Sequence, residues 1–319
     1  MDALSEKALP RVVAIGGPTA TGKTALSVAL AKQFDGEVIS ADSMQIYRGL
    51  DVGTAKVTPE ECSGVPHHLV DILDPETPFS VADFVSAADG CIRSITAAGH
   101  LPLVVGGTGL YITSLLNGLG FAPEKGDPDI RRKLEQRAEE EGKEALYREL
   151  RQIDPEYAAA VHPNNLPRVI RALELYQNTG RRMSEQRRQA LRPEPPYRWL
   201  CLCLGYRDRS LLYRRIDDRV DRMLEAGILE EARTVYDHRD TYRTAAQAIG
   251  YKEFFPYFEG AQGLDACLDK LKQASRNYAK RQLTWFRHQQ NALWLYVDEP
   301  DAAPLAQRAG EIIRSFLIT

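Results

Sequence analysis

The chain has 319 residues, 41 Lys and Arg against 44 Asp and Glu, 44% hydrophobic and 27% charged residues. Those proportions exclude a disordered or low-complexity chain, and the length leaves room for a core that needs no disulfide or metal. No run of 18 apolar residues occurs, which excludes a membrane-spanning helix, and MDALSEKALP lacks the cationic start and apolar run of a signal peptide. The five cysteines at 62, 91, 201, 203 and 267 are odd in number and scattered, without zinc-ligand spacing. Reduced thiols in a cytoplasmic protein are expected. Charge is distributed unevenly. Residues 1–120 hold seven Lys and Arg against thirteen acids, whereas 162–222 hold fourteen Arg against seven acids and no Lys. That Arg excess fits either a patch for phosphate or RNA, or a solvated helical surface.

In chain order, RVVAIG at 11–16 is a short apolar run closed by Gly16-Gly17, the pattern of a buried strand entering a turn. A helix is predicted over Ala25 to Phe34, with Leu26, Ala29, Leu30 and Phe34 at helical spacing. A second strand, Glu37-Val38-Ile39, runs into Ser40-Ala41-Asp42. Ser80 with Asp83 starts another helix that ends at Gly99, and a third strand spans Leu101 to Val105. This alternation predicts an α/β parallel sheet. From Asp127 to about Leu191 the texture turns helical and highly charged. Asp127-Pro128 and Asp154-Pro155 start helices, Pro167 sits in the first turn of a third, and Pro193, Pro195 and Pro196 punctuate the end. Trp199 to Leu204 reads as a strand returning to the sheet. The expected organisation is a core from 1–120, a helical insertion over 121–195, and core completion over 196–319. Amphipathic helices follow at 208–226 and 266–289, then a short run from Trp294 to Val297 and a last helix to Ile318.

Gly17-Pro18-Thr19-Ala20-Thr21-Gly22-Lys23-Thr24 matches GxxxxGK[ST] between a predicted strand and a predicted helix. Its glycines let backbone N–H groups converge on a polyphosphate at a helix N-terminus. Lys23 offers a point charge to phosphate, and Thr24 a hydroxyl to Mg²⁺. The motif does not say which phosphate compound binds. Asp42 ends the second strand at the carboxyl edge of the sheet, where it is either a general base or metal-holding group, or a turn residue. Ser43, Met44 and Gln45 follow it. Gly106-Gly107-Thr108-Gly109 either admits a ligand close to the backbone or makes a tight turn. Arg215, Arg219 and Arg222 share a helix face, and Arg276, Lys280 and Arg287 line another. His67-His68 lacks the i, i+4 spacing of a metal site.

Taken in order, GGPTATGKT, SADSMQIYRGLDVGTAK, VPHHLVD, LVVGGTGLY, RVIRALELY, AIGYKE and SRNYAKRQLTWFR resemble the tRNA dimethylallyltransferases from residue 11 to about 290. The resemblance implies a kinase-like P-loop core with a helical insertion that grips the anticodon stem-loop. It also implies transfer of the dimethylallyl group of dimethylallyl diphosphate to N6 of the adenosine 3′ of the anticodon, with Mg²⁺. An ATP-binding reading follows from the P-loop alone, but the resemblance implies that the loop holds a prenyl diphosphate. It gives Asp42 the role of general base, Lys23 and Arg219 the diphosphate charge, and Thr19 the allylic end of the diphosphate. It assigns tRNA contacts to Asp42, Ser43, Met44, Gln45, Thr108, Arg131 and the segment Pro167, Arg168, Val169, Ile170, Arg171. Where the family has Gln, Lys or Arg before Arg-x-x-Arg, this chain has Pro167, which has no side-chain donor. A monomer is expected.

Rival classes differ in what they require. A small-molecule kinase needs no Arg-rich insert, and a GTP-binding regulator needs an [NT]-K-x-D motif that the sequence lacks. A non-catalytic RNA-binding protein leaves Lys23 and Asp42 together unexplained. An adenylate isopentenyltransferase shares the chemistry but acts on a free nucleotide.

Overall fold

The computed structural model describes residues 9–119, 127–190, 194–300 and 302–319. The first eight residues of MDALSEKALP, the 120/121 boundary, Leu191 and Pro193 lie outside those residues. The described chain divides into two compact units, one of the residues up to Leu116 with those from Pro196 onward, the other of residues between Asn117 and Pro195.

The first unit is built on a six-stranded parallel sheet of order β3-β2-β4-β1-β5-β6. Its strands are β1 (Arg11–Gly16), β2 (Gly36–Ser40), β3 (His67–His68), β4 (Leu101–Val105), β5 (Arg198–Gly205) and β6 (Ala292–Tyr296). β1, β4 and β5 are almost continuous apolar runs because helices cover both faces of the sheet. One layer buries Phe84, Ile92, Ile112 and Leu115 against Val12, Ala14 and Val104, the other Leu26, Leu30 and Ile313 against Val13, Ile15 and Leu103. The helices of this unit are α1 (Lys23–Phe34), α2 (Pro59–Cys62), α3 (Val81–Ala97) and α4 (Gly109–Leu116) before the insertion. α1 starts two residues earlier than the periodicity predicts, and its buried face is Leu26, Ser27, Val28, Leu30 and Ala31, with Ala29 exposed. Ser80 and Asp83 form a reciprocal capping box at the head of α3. Gly106-Gly107-Thr108-Gly109, read in the sequence as either a ligand-approaching loop or a tight turn, leads directly into α4, to which the sequence reading assigned no element.

The second unit contains α5 (Pro128–Glu140), α6 (Lys143–Ile153), α7 (Pro155–Ala159), α8 (Leu166–Thr179) and α9 (Met183–Ala190). Its core comprises Leu134, Leu146, Leu150, Tyr157, Val161, Val169, Ile170 and Leu173. Asp154, 1% exposed, caps α7 by accepting from Tyr157 N at 3.0 Å and ties down the head of α9 by accepting from Ser184 N at 2.8 Å. The chain returns through β5 and finishes with α10 (Arg209–Glu225), α11 (Ile228–Asp237), α12 (Phe255–Phe258), α13 (Leu264–Arg287) and α14 (Leu305–Ile318). No helix of the described residues is long and apolar enough to cross a membrane. All five cysteines are free.

Candidate active site

The carboxyl ends of β1, β2 and β4 meet at one cavity of about 540 Å³ in the first unit. Its floor is the loop from β1 to α1. Gly17, Ala20 and Gly22 take positive φ there, at 135°, 63° and 83°. Thr21 Oγ1 donates to Pro18 O at 2.8 Å and Lys23 Nζ to the same carbonyl at 2.7 Å, so the side chains rigidify the loop from within. Arg215 Nε donates to Ala20 O at 3.1 Å from α10. Thr19 through Thr24 line the cavity.

Two cations and one carboxylate face each other across this space. Desolvation, with Arg219 nearby as the second cause, pulls Lys23 down to about 7, while Asp42 opposes the shift. Arg219, on α10, lies below its ordinary value for the same leading reason, again opposed by Asp42. A cavity with this balance favours an anion that neutralises the pair.

Asp42 follows β2 in a turn of its own making. Its Oδ1 accepts from Met44 N at 2.9 Å and from Gln45 N at 3.4 Å, which fixes the carboxylate plane. Ser43 N donates to Thr108 Oγ1 at 3.2 Å, and Thr108 N to Ala41 O at 3.2 Å, linking the turn to the loop after β4. Gln45 is locked by Ser40 Oγ at 2.9 Å on one side and by the carbonyls of Thr54 and Ala55, both at 3.3 Å, on the other. The loop bearing those carbonyls is gripped by Glu231 of α11, which accepts from the N–H groups of Asp51, Val52 and Gly53 at 2.7, 2.9 and 2.8 Å and from Tyr251 OH at 2.8 Å.

α13 supplies the remaining wall. Gln282, 6% exposed, accepts from Thr19 N at 3.0 Å and donates to Gly107 O at 2.9 Å. Tyr278 lies against Thr108 and Gln282, its phenol pushed up to about 12 by burial and by Asp42. Thr244, Gln247, Ile249, Gly250 and Lys252 close the far end. None of Glu231, Tyr278 and Gln282 was singled out from the sequence, although SRNYAKRQLTWFR contains the last two.

The structure therefore brings together the P-loop residues Gly17–Thr24, Asp42, Ser43, Met44, Gln45, Thr108 and Arg219. The other assigned residues belong to the second unit. There Arg131 pairs with Glu135 at 3.0 Å and with Glu174 at 3.7 Å, and Arg171 pairs with Glu174 at 3.2 Å. Pro167 and Arg168 are exposed in the first turn of α8. Val169 and Ile170 require correction as RNA-contact side chains, because at 0% and 2% exposure they form the core of their unit. His67-His68 forms the edge strand β3, with His68 Nε2 2.5 Å from Glu37. Of the other cationic face on α13, Arg276 is held by Asp217 at 2.5 Å.

Fold and site together define a P-loop α/β protein whose anion pocket faces a carboxylate at the sheet's carboxyl edge. A family model described as IPP transferase matches residues 45–289, and one described as isopentenyl transferase matches residues 10–71. The chain is 50% identical to the tRNA dimethylallyltransferase of Geobacillus thermodenitrificans, over 95% of each, and 48% identical to that of Bacillus subtilis, over 91% of each. It is 45% identical to the full-length tRNA isopentenylpyrophosphate transferase of Bacillus halodurans, with a TM-score of 0.72 over 97% of both chains. A eukaryotic dimethylallyltransferase crystallised acting on tRNA is 31% identical, with a TM-score of 0.81 over 97% of this chain and 79% of that one. The chain belongs to the tRNA dimethylallyltransferase family.

Proposed function

We propose that the protein transfers the dimethylallyl group of dimethylallyl diphosphate to N6 of the adenosine 3′-adjacent to the anticodon of tRNA. The observation that carries this reading is Asp42 facing Lys23 and Arg219 across one P-loop cavity. The adenine amine is a poor nucleophile because its lone pair is delocalised into the ring. Two aids are required: removal of the N6 proton as the bond forms, and stabilisation of the departing diphosphate. The N6–carbon bond forms as the carbon–oxygen bond to diphosphate breaks, and the N6 proton passes to the Asp42 carboxylate. The charge left on the diphosphate is met by the P-loop N–H groups, Lys23 and Arg219. Thr19 faces the allylic end. The target base must leave its stack to reach the cavity, which costs a few kcal/mol.

A divalent cation fits this site as a companion of the diphosphate. The Thr24 hydroxyl lines the cavity at the head of α1, and among the described residues no group of three His, Cys, Asp or Glu side chains could hold a metal alone. Mg²⁺ commonly takes few protein ligands and completes its shell with phosphate oxygens and water. Thr24 would hold it, and the ion would supply positive charge to the leaving group. Asp42, Ser43, Met44, Gln45 and Thr108 are proposed to read the extruded base and its neighbours. Residues 121–195 are proposed as an RNA-gripping insertion that contacts the stem-loop through Arg131, Arg168 and Arg171.

The test uses labelled dimethylallyl diphosphate and total tRNA, followed by nucleoside mapping. Label in N6-isopentenyladenosine beside the anticodon is expected. In parallel reactions supplied with adenylate or ATP, label in free adenylate but not in tRNA would favour a free-nucleotide transferase, and tRNA-independent ATP turnover without label transfer would favour a kinase.

A further inference from the structure

The start of a P-loop is where a polyphosphate normally ends. The loop joins β1 to the head of α1, and Thr19 and Lys23 line the same cavity, so a terminal phosphate reached by Lys23 would lie towards the loop's first residues, beside the Thr19 N–H. Here the N–H of Thr19 already has a partner, Gln282 Oε1, at 3.0 Å. Through its Nε2 the Gln282 side chain donates to Gly107 O at 2.9 Å, and that side chain is 6% exposed. It lines the cavity on one side and is packed against Gly107 on the other. A Cβ on Gly107 would fall 2.2 Å from Gln282 Nε2, and one turn further along α13 a Cβ on Gly16 would fall 2.3 Å from the Phe286 ring.

We propose that Gln282 sets the number of phosphates the site accepts, closing the far end of the P-loop against a third one. The inference rests on the proposed use of a prenyl diphosphate. An amide oxygen on the Thr19 N–H takes the donor that a terminal phosphate would need, and its lone pairs face that phosphate's oxygens. A triphosphate could enter only by displacing Gln282, which would strip Thr19 N and Gly107 O of their partners in a buried setting. For a prenyl diphosphate the same contact is an advantage. The carbon chain begins where the third phosphate would lie, and Gln282 has already satisfied the polar N–H that would otherwise face it.

The experiment measures binding of inorganic diphosphate and inorganic triphosphate, each as its Mg²⁺ complex, to wild type, Gln282→Ala and Gln282→Ser, with folding checked by circular dichroism. Wild type should prefer diphosphate by at least about tenfold, since the buried groups left unpaired by a triphosphate are strongly discriminating. Either variant, if folded, should narrow that preference by about tenfold, chiefly by gaining triphosphate affinity. A merely structural Gln282 would weaken both ligands together and leave the ratio unchanged, and that result overturns the proposal. So does a wild type that binds the two equally, a result that needs no variant. Failure of the underlying reading looks different: a wild type that binds neither polyanion and transfers no label to tRNA.

Discussion

Asp42 owes its geometry to two N–H groups of its own turn, which occupy one carboxylate oxygen. Asp42→Asn keeps the shape of the side chain but cannot take the N6 proton, so single-turnover transfer should fall by about 10²–10⁴-fold. tRNA binding should change little. Transfer within threefold of wild type would remove the general-base role. Lys23 gives the site a pH signature. Its folded value of about 7 lies below the ordinary 10.5, so between those limits the unfolded chain holds more protons than the folded one. Stability of the ligand-free protein should therefore rise with pH across that window. Bound diphosphate restores the protonated form, so binding takes up a proton and affinity should fall as pH rises above about 7. Calorimetry of dimethylallyl diphosphate binding should show that slope, and Lys23→Arg should flatten it. Equal slopes in both proteins would place the titration elsewhere.

At the level of the element, Asp154 joins the start of α7 to the start of α9 with one carboxylate. Burial works against its ionisation, but the N–H groups of Ser184 and Tyr157 outweigh burial and hold the carboxyl below its ordinary value. Its contribution is thus present above the unfolded value and is lost as pH falls through the folded one. Asp154→Ala should cost about 1–3 kcal/mol of local stability. Hydrogen exchange over residues 154–190 of the full chain reads this directly, and unchanged protection would show that the cap is dispensable. The strands of the sheet and the capped helices were legible in the sequence because each leaves a local mark: an unbroken apolar run, Ser80 with Asp83, a Pro after an Asp. The P-loop and Asp42 were legible for the same reason. α4 was not, because Gly106-Gly107-Thr108-Gly109 looks like a turn and the helix begins on its last glycine. The two-residue β3 is too short to show any period. Glu231 and Gln282 escaped notice because each acts on a loop far away in sequence, and a lone Glu or Gln on an amphipathic helix reads as surface.

Across the whole molecule a net charge of -3 conceals the cationic stretch that spans the end of the insertion and the start of the returning core. Within the insertion Glu174, 5% exposed, lies close to both Arg131 and Arg171, so part of that charge is already spent on local pairing. Arg168 is the cleaner probe. Arg168→Glu, alone and with Arg171→Gln, should weaken tRNA binding and reduce its dependence on salt by about one unit of slope per lost phosphate contact. Dimethylallyl diphosphate affinity should stay the same, since the P-loop and Arg219 belong to the other unit. A folded variant with unaltered tRNA affinity and slope would take Arg168 out of the RNA site.

The strand order also dictates what a growing chain can build, and when. β1 lies in the middle of the sheet between β4 and β5, and Arg11 pairs with Arg198. While the insertion leaves the ribosome, β1 can pair with β4, but its other edge, with Val12, Val13, Ala14 and Ile15, has no partner yet. The insertion consists of helices with local contacts, so it can fold early, whereas parallel pairing over so long a separation comes late. An open apolar edge in a half-made sheet is a site for aggregation. Every residue added to the insertion would lengthen the time that edge waits. Translation speed and chaperone access during this interval should therefore bear on the yield of active protein.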